Sequence, residues 1–263
     1  MEFIEAIILG IIQGLTEFLP ISSSGHLEIG KAFFGNNSIG EESLFLTLVL
    51  HFATALSTIV VFKKEIQEIL KGLLHLKINE HTNFSIKIII SMIPAIIVGL
   101  FFQDQIEALF SKNLVLVGSM LLLTSLILFL ADQTGNTKNK VSFSNSFILG
   151  VVQAIAILPG ISRSGSTIAS ALLLGIDRQK ASRFSFLMVL PLIFGSMVKT
   201  LIDMEGVPKD MNILNLALAF TAAFISGIFA CRWIISVVKK SKLKYFSYYC
   251  VFIGVVTLIY GLF

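Results

Sequence analysis

A lone arginine, Arg163, sits in the run Leu158-Pro-Gly-Ile-Ser-Arg-Ser-Gly-Ser-Thr167, and its neighbours are the groups that hold a phosphate. Ser162, Ser164 and Thr167 bring hydroxyls, and Gly165 lets backbone approach a ligand closely. A helix starting at this point would aim its N–H groups and the positive end of its dipole at an anion. A guanidinium beside them can grip two phosphate oxygens at once. The alternative is a structural ion pair with Glu17, because a cation inside an apolar chain is paired when it is not functional.

A second stretch, Glu17-Phe-Leu-Pro-Ile-Ser-Ser-Ser-Gly-His26, supplies the other half of a phosphoryl-transfer site. Ser23 and His26 are three residues apart at a helix start, within reach of an imidazole that takes the hydroxyl proton. Ser22 and Ser24 flank the nucleophile as phosphate-binding hydroxyls. A rival scheme makes His26 the nucleophile, or the activator of a water, with Ser23 only a hydrogen-bond donor. Gln13 and Glu17 are four apart and share a helix face. A carboxylate with an amide oxygen suits a hard divalent cation, Mg²⁺ or Ca²⁺; alternatively Glu17 accepts a proton or orients the histidine. His51, in mid-span, reads as interhelical glue. His75 and His81 read as surface residues, and Glu28 with Lys31 as a solvated pair.

The two stretches are copies of one another. A shift of 140 residues places Ile8-Leu9-Gly10 on Ile148-Leu149-Gly150, Gln13 on Gln153, Ile21-Ser22 on Ile161-Ser162 and Ser24-Gly25 on Ser164-Gly165, 8 identities in the 18 positions from 8 to 25. A polar, proline-broken segment repeated inside a hydrophobic chain points to a site where two halves meet.

The elements that carry these residues must lie in a membrane. The 263 residues are 55% hydrophobic and 14% charged, with a mean hydropathy of +0.88, which leaves too little charge for the surface of a soluble domain. Six apolar runs approach the length that crosses a bilayer: Leu44–Phe62, Phe84–Phe102, Leu114–Leu130, Phe184–Ile202, Ile213–Cys231 and Phe246–Phe263. Around the motifs lie shorter pieces, Phe3–Leu19 with His26–Phe34 and Phe143–Leu158 with Ser164–Leu174. Each pair is expected to form a re-entrant helical hairpin ended by Pro20 or Pro159, with Ser22 or Ser23, and Ser162, as N-caps of the return helix. The expected fold is all-α and polytopic, a single membrane domain over 1–263. Its repeats, 1–135 and 140–263, each hold a hairpin plus three spans, and an odd number of crossings makes the second repeat inverted.

Charge sets the orientation. The side opposite the termini carries 15 Lys and Arg residues, among them Lys63, Lys64, Lys71, Arg178, Lys180, Lys239 and Lys240, against 4 on the terminal side: Lys31, Lys112, Lys199 and Lys209. The termini and the site's opening are therefore expected outside the cytoplasm. Basic residues placed in loops beside spans do not point to nucleic acid. Cys231 and Cys250 read as buried small hydrophobes. Phe3–Leu19 lacks a basic start, so no cleavable signal is expected.

The motif P-x-S-x-x-G-H has a partial counterpart in type 2 phosphatidic acid phosphatases, but those require a histidine where Ala169 stands and an Arg-Pro pair that the chain lacks. The chain closely resembles the integral-membrane undecaprenyl-diphosphate phosphatases, the bacitracin-resistance proteins. Gln13-Gly-Leu-Thr-Glu17, Pro20-Ile-Ser-Ser-Ser-Gly-His26 and Pro159-Gly-Ile-Ser-Arg-Ser-Gly-Ser-Thr167 match their signatures, with Gln rather than Glu at position 13. The resemblance implies hydrolysis of undecaprenyl diphosphate, a long-chain polyprenyl diphosphate, to undecaprenyl phosphate and inorganic phosphate in the bacterial cell (inner) membrane. That reaction recycles the carrier of cell-wall synthesis and confers bacitracin resistance. It also implies a divalent cation, a homodimer, and a catalytic core of Glu17, Ser23, His26 and Arg163. A lipid-phosphate flippase or transporter using the same site without hydrolysis is the competing class.

Overall fold

A computed structural model describes residues 3–33, 41–74, 79–102, 105–106, 109, 113–135, 137–203, 212–240 and 242–262. The regular elements among the described residues are all α-helices, and a single isolated bridge joins Asn139 and Ile176. His75, Lys112, Lys209, Phe34 and Phe263 of the sequence reading lie outside them.

The first motif lies between α1 (Phe3–Phe18) and α2 (Ser23–Phe33), the second between α7 (Phe143–Ile155) and α8 (Arg163–Leu173). The remaining helices are α3 (Glu41–Val61), α4 (Lys63–Leu74), α5 (Glu80–Phe101), α6 (Leu114–Asp132), α9 (Arg178–Met188), α10 (Leu190–Asp203), α11 (Ile213–Lys239) and α12 (Lys244–Leu262). Among the described residues, five helical stretches are long and apolar enough to cross a membrane: α5, α6, α11, α12 and the joined Arg178–Thr200. The pair Phe45–Val61 and Lys63–Leu73, bent by 80°, makes a sixth if it counts as one span. The chain is a multi-pass membrane protein.

Three boundaries differ from expectation, the first being the span expected at Phe184–Ile202, which begins at Arg178 and is divided between α9 and α10. Lys63–Leu74 is not a charged loop but helix α4, whose alternating Lys and Glu with Ile66, Ile69 and Leu73 give it one apolar side. The expected span Ile213–Cys231 continues through Lys239, because nothing after Cys231 breaks a helix until the lysine-rich turn.

The hairpins form as the breaks dictate. Pro20 follows the end of α1, and a Cβ built on Gly30 of α2 would stand 3.2 Å from Leu9 and 3.4 Å from Ile12 of α1, so α2 returns along α1. Ser22 caps α2 by accepting from Gly25 N–H at 3.2 Å, and it does so at φ +70, a left-handed conformation unusual for serine. Ser162 caps α8, its Oγ accepting from Gly165 N–H at 3.0 Å.

Equivalent glycines seat the two hairpins. Gly10 of α1 lies against Ala219 of α11, and Gly150 of α7 lies against Ser91 of α5, each too close to leave room for a side chain. Each entering helix thus packs on a helix from the other half of the chain. The last helices of the two halves also cross, Gly118 against Gly254 and Ser125 Oγ to Ser247 Oγ at 2.9 Å. Further along, the Leu243 N–H donates to Asp132 Oδ1 at 2.8 Å and Gly261 meets Leu114, so α6 and α12 run antiparallel. Small residues and serines at these crossings are what brings helices together where lipid removes the usual hydrophobic drive. Cys231 and Cys250 are both buried and free, as expected.

Candidate active site

The hairpin tips meet. A Cβ on Gly25 would stand 3.2 Å from Gly160 Cα, one on Gly165 would stand 3.0 Å from Pro20 Cβ, and the Ser164 hydroxyl donates to the Leu19 carbonyl at 3.3 Å. Thr124 of α6 fastens the second tip, accepting from Ser162 N–H at 3.0 Å and donating to the Gly160 carbonyl at 3.2 Å. The second tip also carries Gly160 at φ +95, where a Cβ would lie 2.4 Å from the Val117 carbonyl oxygen; only glycine fits.

Where the tips meet, Glu17 is the hub. The Ser23 hydroxyl donates to its Oε2 at 2.7 Å, and the Gln13 amide donates to the same oxygen at 3.0 Å. The Arg163 guanidinium forms an ion pair with Oε1, and its other nitrogen reaches the Ser185 carbonyl at 3.4 Å. Glu17 is 6% exposed and the Arg163 side chain 16%, so the pair is largely shielded from solvent. The structure therefore unites Gln13, Glu17, Ser23 and Arg163 as the two motifs anticipate, and the Arg163–Glu17 ion pair occurs together with the serine contact.

Three expectations change. The first concerns His26, whose ring does not reach Ser23: Nδ1 lies 2.8 Å from the Ser22 carbonyl and Nε2 lies 2.8 Å from the Tyr249 hydroxyl. With its first turn begun at Ser23, α2 directs residue 26 toward α12 and leaves the serine hydroxyl facing α1. The second concerns the phosphate cradle. Ser162 Oγ and Gly165 N–H are bonded to each other, Ser164 bridges the hairpins, and Thr167 Oγ1 lies 2.8 Å from the Arg163 carbonyl and 2.6 Å from Ser185 Oγ. These groups have hydrogen-bond partners within the protein at a buried helix start, and Thr167 bonds the Arg163 carbonyl. Ser22 and Ser24 pair with one another at 3.4 Å. The third is the Glu28–Lys31 pair, which is not solvated: its side chains are 11% and 12% exposed, and Lys31 also donates to Thr47 at 3.4 Å.

His51 and Tyr249 escaped the sequence reading as site residues. His51 Nε2 stands 3.6 Å from Glu17 Oε2, an ion pair when the ring is protonated, while its Nδ1 is held 2.8 Å from the Thr47 carbonyl. An ionisable residue in mid-span was a signal for it. Nothing local marks Tyr249, because its partner lies 223 residues earlier.

A divalent cation would need hard oxygen ligands. Gln13 is fully buried and its Oε1 has no hydrogen-bond partner, an open acceptor beside the Glu17 carboxylate. No group of three or more His, Cys, Asp or Glu residues able to hold a metal occurs among the described residues. The two side chains fit a hard cation that takes its other ligands from phosphate and water.

Comparison with known proteins places this geometry in context. The family model described as "Bacitracin resistance protein BacA" matches residues 6–256. A protein of Christiangramia forsetii named undecaprenyl-diphosphatase is 59% identical over 261 residues, covering 99% of each chain. A protein of the same name from Bacteroides fragilis is 51% identical over 263 residues and 98% of each chain. Another, from Methanococcus vannielii, is 43% identical over 253 residues, 94% of this chain and 95% of its own.

Proposed function

Since the chain belongs to the BacA bacitracin-resistance family, we propose that it is an undecaprenyl-diphosphate phosphatase, releasing undecaprenyl phosphate and inorganic phosphate. The observation that carries the reading is the Glu17 carboxylate, bonded at once to the hydroxyl of one motif and the cation of the other. A nucleophile, its proton acceptor and a phosphate-binding charge thus occupy one buried point between two apolar hairpins.

Ser23 Oγ attacks the terminal phosphorus, and Glu17 Oε2 takes the hydroxyl proton along the hydrogen bond already in place. As the Oγ–P bond forms, the bond from phosphorus to the bridging oxygen breaks and undecaprenyl phosphate leaves. Protonation removes the Glu17 charge that holds Arg163, so the guanidinium is free to stabilise charge on the equatorial oxygens. Water then attacks the phosphoserine and gives up one proton to solvent, and Ser23 recovers its proton from Glu17 as the phosphate leaves. Gln13 Oε1 and Glu17 would hold a Mg²⁺ or Ca²⁺ ion, whose charge would further neutralise the phosphate.

The enzyme recycles the lipid carrier of cell-wall synthesis from the bacterial inner membrane, and its abundance confers bacitracin resistance. The antiparallel crossing of α6 and α12 and the exchange of hairpin partners support an inverted repeat. The bias of 15 basic residues to 4 supports termini and site on the outer side.

The test is phosphate release by detergent-purified protein, with and without chelator, from a C55 prenyl diphosphate, farnesyl diphosphate and ATP. Chelator-sensitive release from the prenyl substrates and little from ATP is expected. Lipid transport without phosphate release would favour a flippase, and equal cleavage of ATP and farnesyl diphosphate would defeat the membrane-groove reading.

A further inference from the structure

We infer that His51 is a third protein ligand of the divalent cation, its Nε2 binding beside Glu17 and Gln13, and that the resulting site prefers Mn²⁺ to Mg²⁺ or Ca²⁺. The inference rests on the cation assigned to the proposed phosphatase. It starts from two acceptors that face each other. The Thr47 carbonyl, 2.8 Å from Nδ1, offers only lone pairs, so Nδ1 carries the hydrogen of the neutral ring. That leaves Nε2 a bare lone pair, and 3.6 Å away stands another acceptor, Glu17 Oε2. Among the described residues no donor reaches Nε2. A positive centre is needed between the two atoms, and it is either a proton on the ring or a metal ion.

Gln13 favours the metal. Its side chain is fully buried and its Oε1 has no partner, a defect that a proton on His51 does not cure. The amide nitrogen stands 3.0 Å from the same Glu17 Oε2. The two ends of a carboxamide are close in shape, so a half-turn of the amide puts Oε1 at that position. The turn also frees the lone pair of Oε2 that the amide N–H occupied. Three acceptors then gather at one point, the amide oxygen and Nε2 at 3.0 and 3.6 Å from Oε2. Ligands held about 2.1 Å from one ion lie roughly 3.0–3.4 Å apart, close to these spacings. The imidazole is also set as metal-binding imidazoles are, with its far N–H given to a backbone carbonyl and its free nitrogen presented to the site. Helix α3 holds it there, since Ser57 donates to the Phe224 carbonyl of α11 at 2.8 Å and Phe52 packs on Phe194 and Phe220. The ring is 28% exposed, which leaves the ion a way in. Two oxygens with one imidazole nitrogen are softer than the all-oxygen shells of Mg²⁺ and Ca²⁺, and they suit Mn²⁺ better.

The experiment uses the untagged full chain in detergent and Mn²⁺ alone as the probe, with wild type, H51Q, H51A and H81A, a control outside the site. The EPR signal of free Mn²⁺ reads binding and its competition by Mg²⁺ and Ca²⁺. Pulsed EPR reads nitrogen coupling to the bound ion, identified by ¹⁵N-histidine labelling. The expected result is one Mn²⁺ per chain, coupled to a histidine nitrogen and bound more tightly than Mg²⁺ or Ca²⁺. H81A should keep the coupling. H51Q and H51A should lose it and bind Mn²⁺ at least about tenfold more weakly, with little change for Mg²⁺. No bound Mn²⁺, bound Mn²⁺ without histidine coupling, or a coupling that survives in both His51 variants overturns the inference. The wild-type spectrum depends on no variant folding, and H51Q keeps a polar side chain of similar size where H51A does not. Because these readouts need no turnover, a His51-coupled ion in a chain that releases no phosphate would sink the phosphatase reading and leave the ligand standing.

Discussion

Arg163 and Glu17 stand 146 positions apart, one at the tip of each hairpin, and their side chains form a shielded ion pair that closes the junction between the two halves of the chain. The pair joins the two tips, and in the proposed mechanism it holds both the charge that meets phosphate and the base that meets the nucleophile.

Replacing Arg163 should damage activity and stability by separable routes. R163A removes electrostatic stabilisation, with an expected loss of roughly 10²–10³ in kcat. It also strands a buried carboxylate, a loss of about 3–5 kcal/mol when one partner of a buried pair goes. E17Q/R163A should recover most of the thermal stability and none of the activity. Thermal melts beside phosphate-release assays check both, and a double variant no more stable than R163A would show that the pair does not hold the tips.

Ser23→Ala should abolish turnover with little effect on folding, since its hydroxyl touches only Glu17 among the contacts described. Protein quenched in acid during turnover of terminally labelled substrate should retain label on Ser23, because a phosphoserine survives acid. Near-normal activity in S23A, or an acid-labile phosphate on His26, would give the nucleophile to the histidine.

Gly14→Ala should loosen the seat of the first hairpin. A Cβ at that position would lie 1.9 Å from Ser226 Oγ and 2.5 Å from the Ala223 carbonyl oxygen. The serine can rotate away, but the backbone carbonyl cannot, so α1 and α11 must separate. Overpacking of this kind costs about 1–3 kcal/mol, read as a lowered melting temperature in detergent. Gly99, with nothing within 4 Å, is the control whose alanine variant should melt close to the parent.

A single cysteine at Lys71, exposed on α4, should resist membrane-impermeant thiol reagents in intact cells and react after permeabilisation, since Cys231 and Cys250 are buried. Ready labelling in intact cells would reverse the orientation taken from the charge bias.

Much of this protein is legible in its sequence, and the reason is local. Hydrophobic length marks the spans, Pro20 and Pro159 break the hairpins, Ser162 caps by its own hydroxyl, and the 140-residue repeat marks the two halves; each depends on residues within a turn or two. The two motifs also anticipate that Gln13, Glu17, Ser23 and Arg163 come together. What each side chain faces was decided by the tertiary structure. Helical phase at Ser23 turned its hydroxyl to Glu17 and sent His26 to Tyr249, so the serine–histidine contact suggested by spacing alone is not made. His51 and Tyr249 join the site from helices far along the chain, where no spacing rule reaches. Ser164 and Thr167, apt for phosphate by type, were taken by buried backbone and a neighbouring serine, because polar groups closed off from water must find a partner nearby.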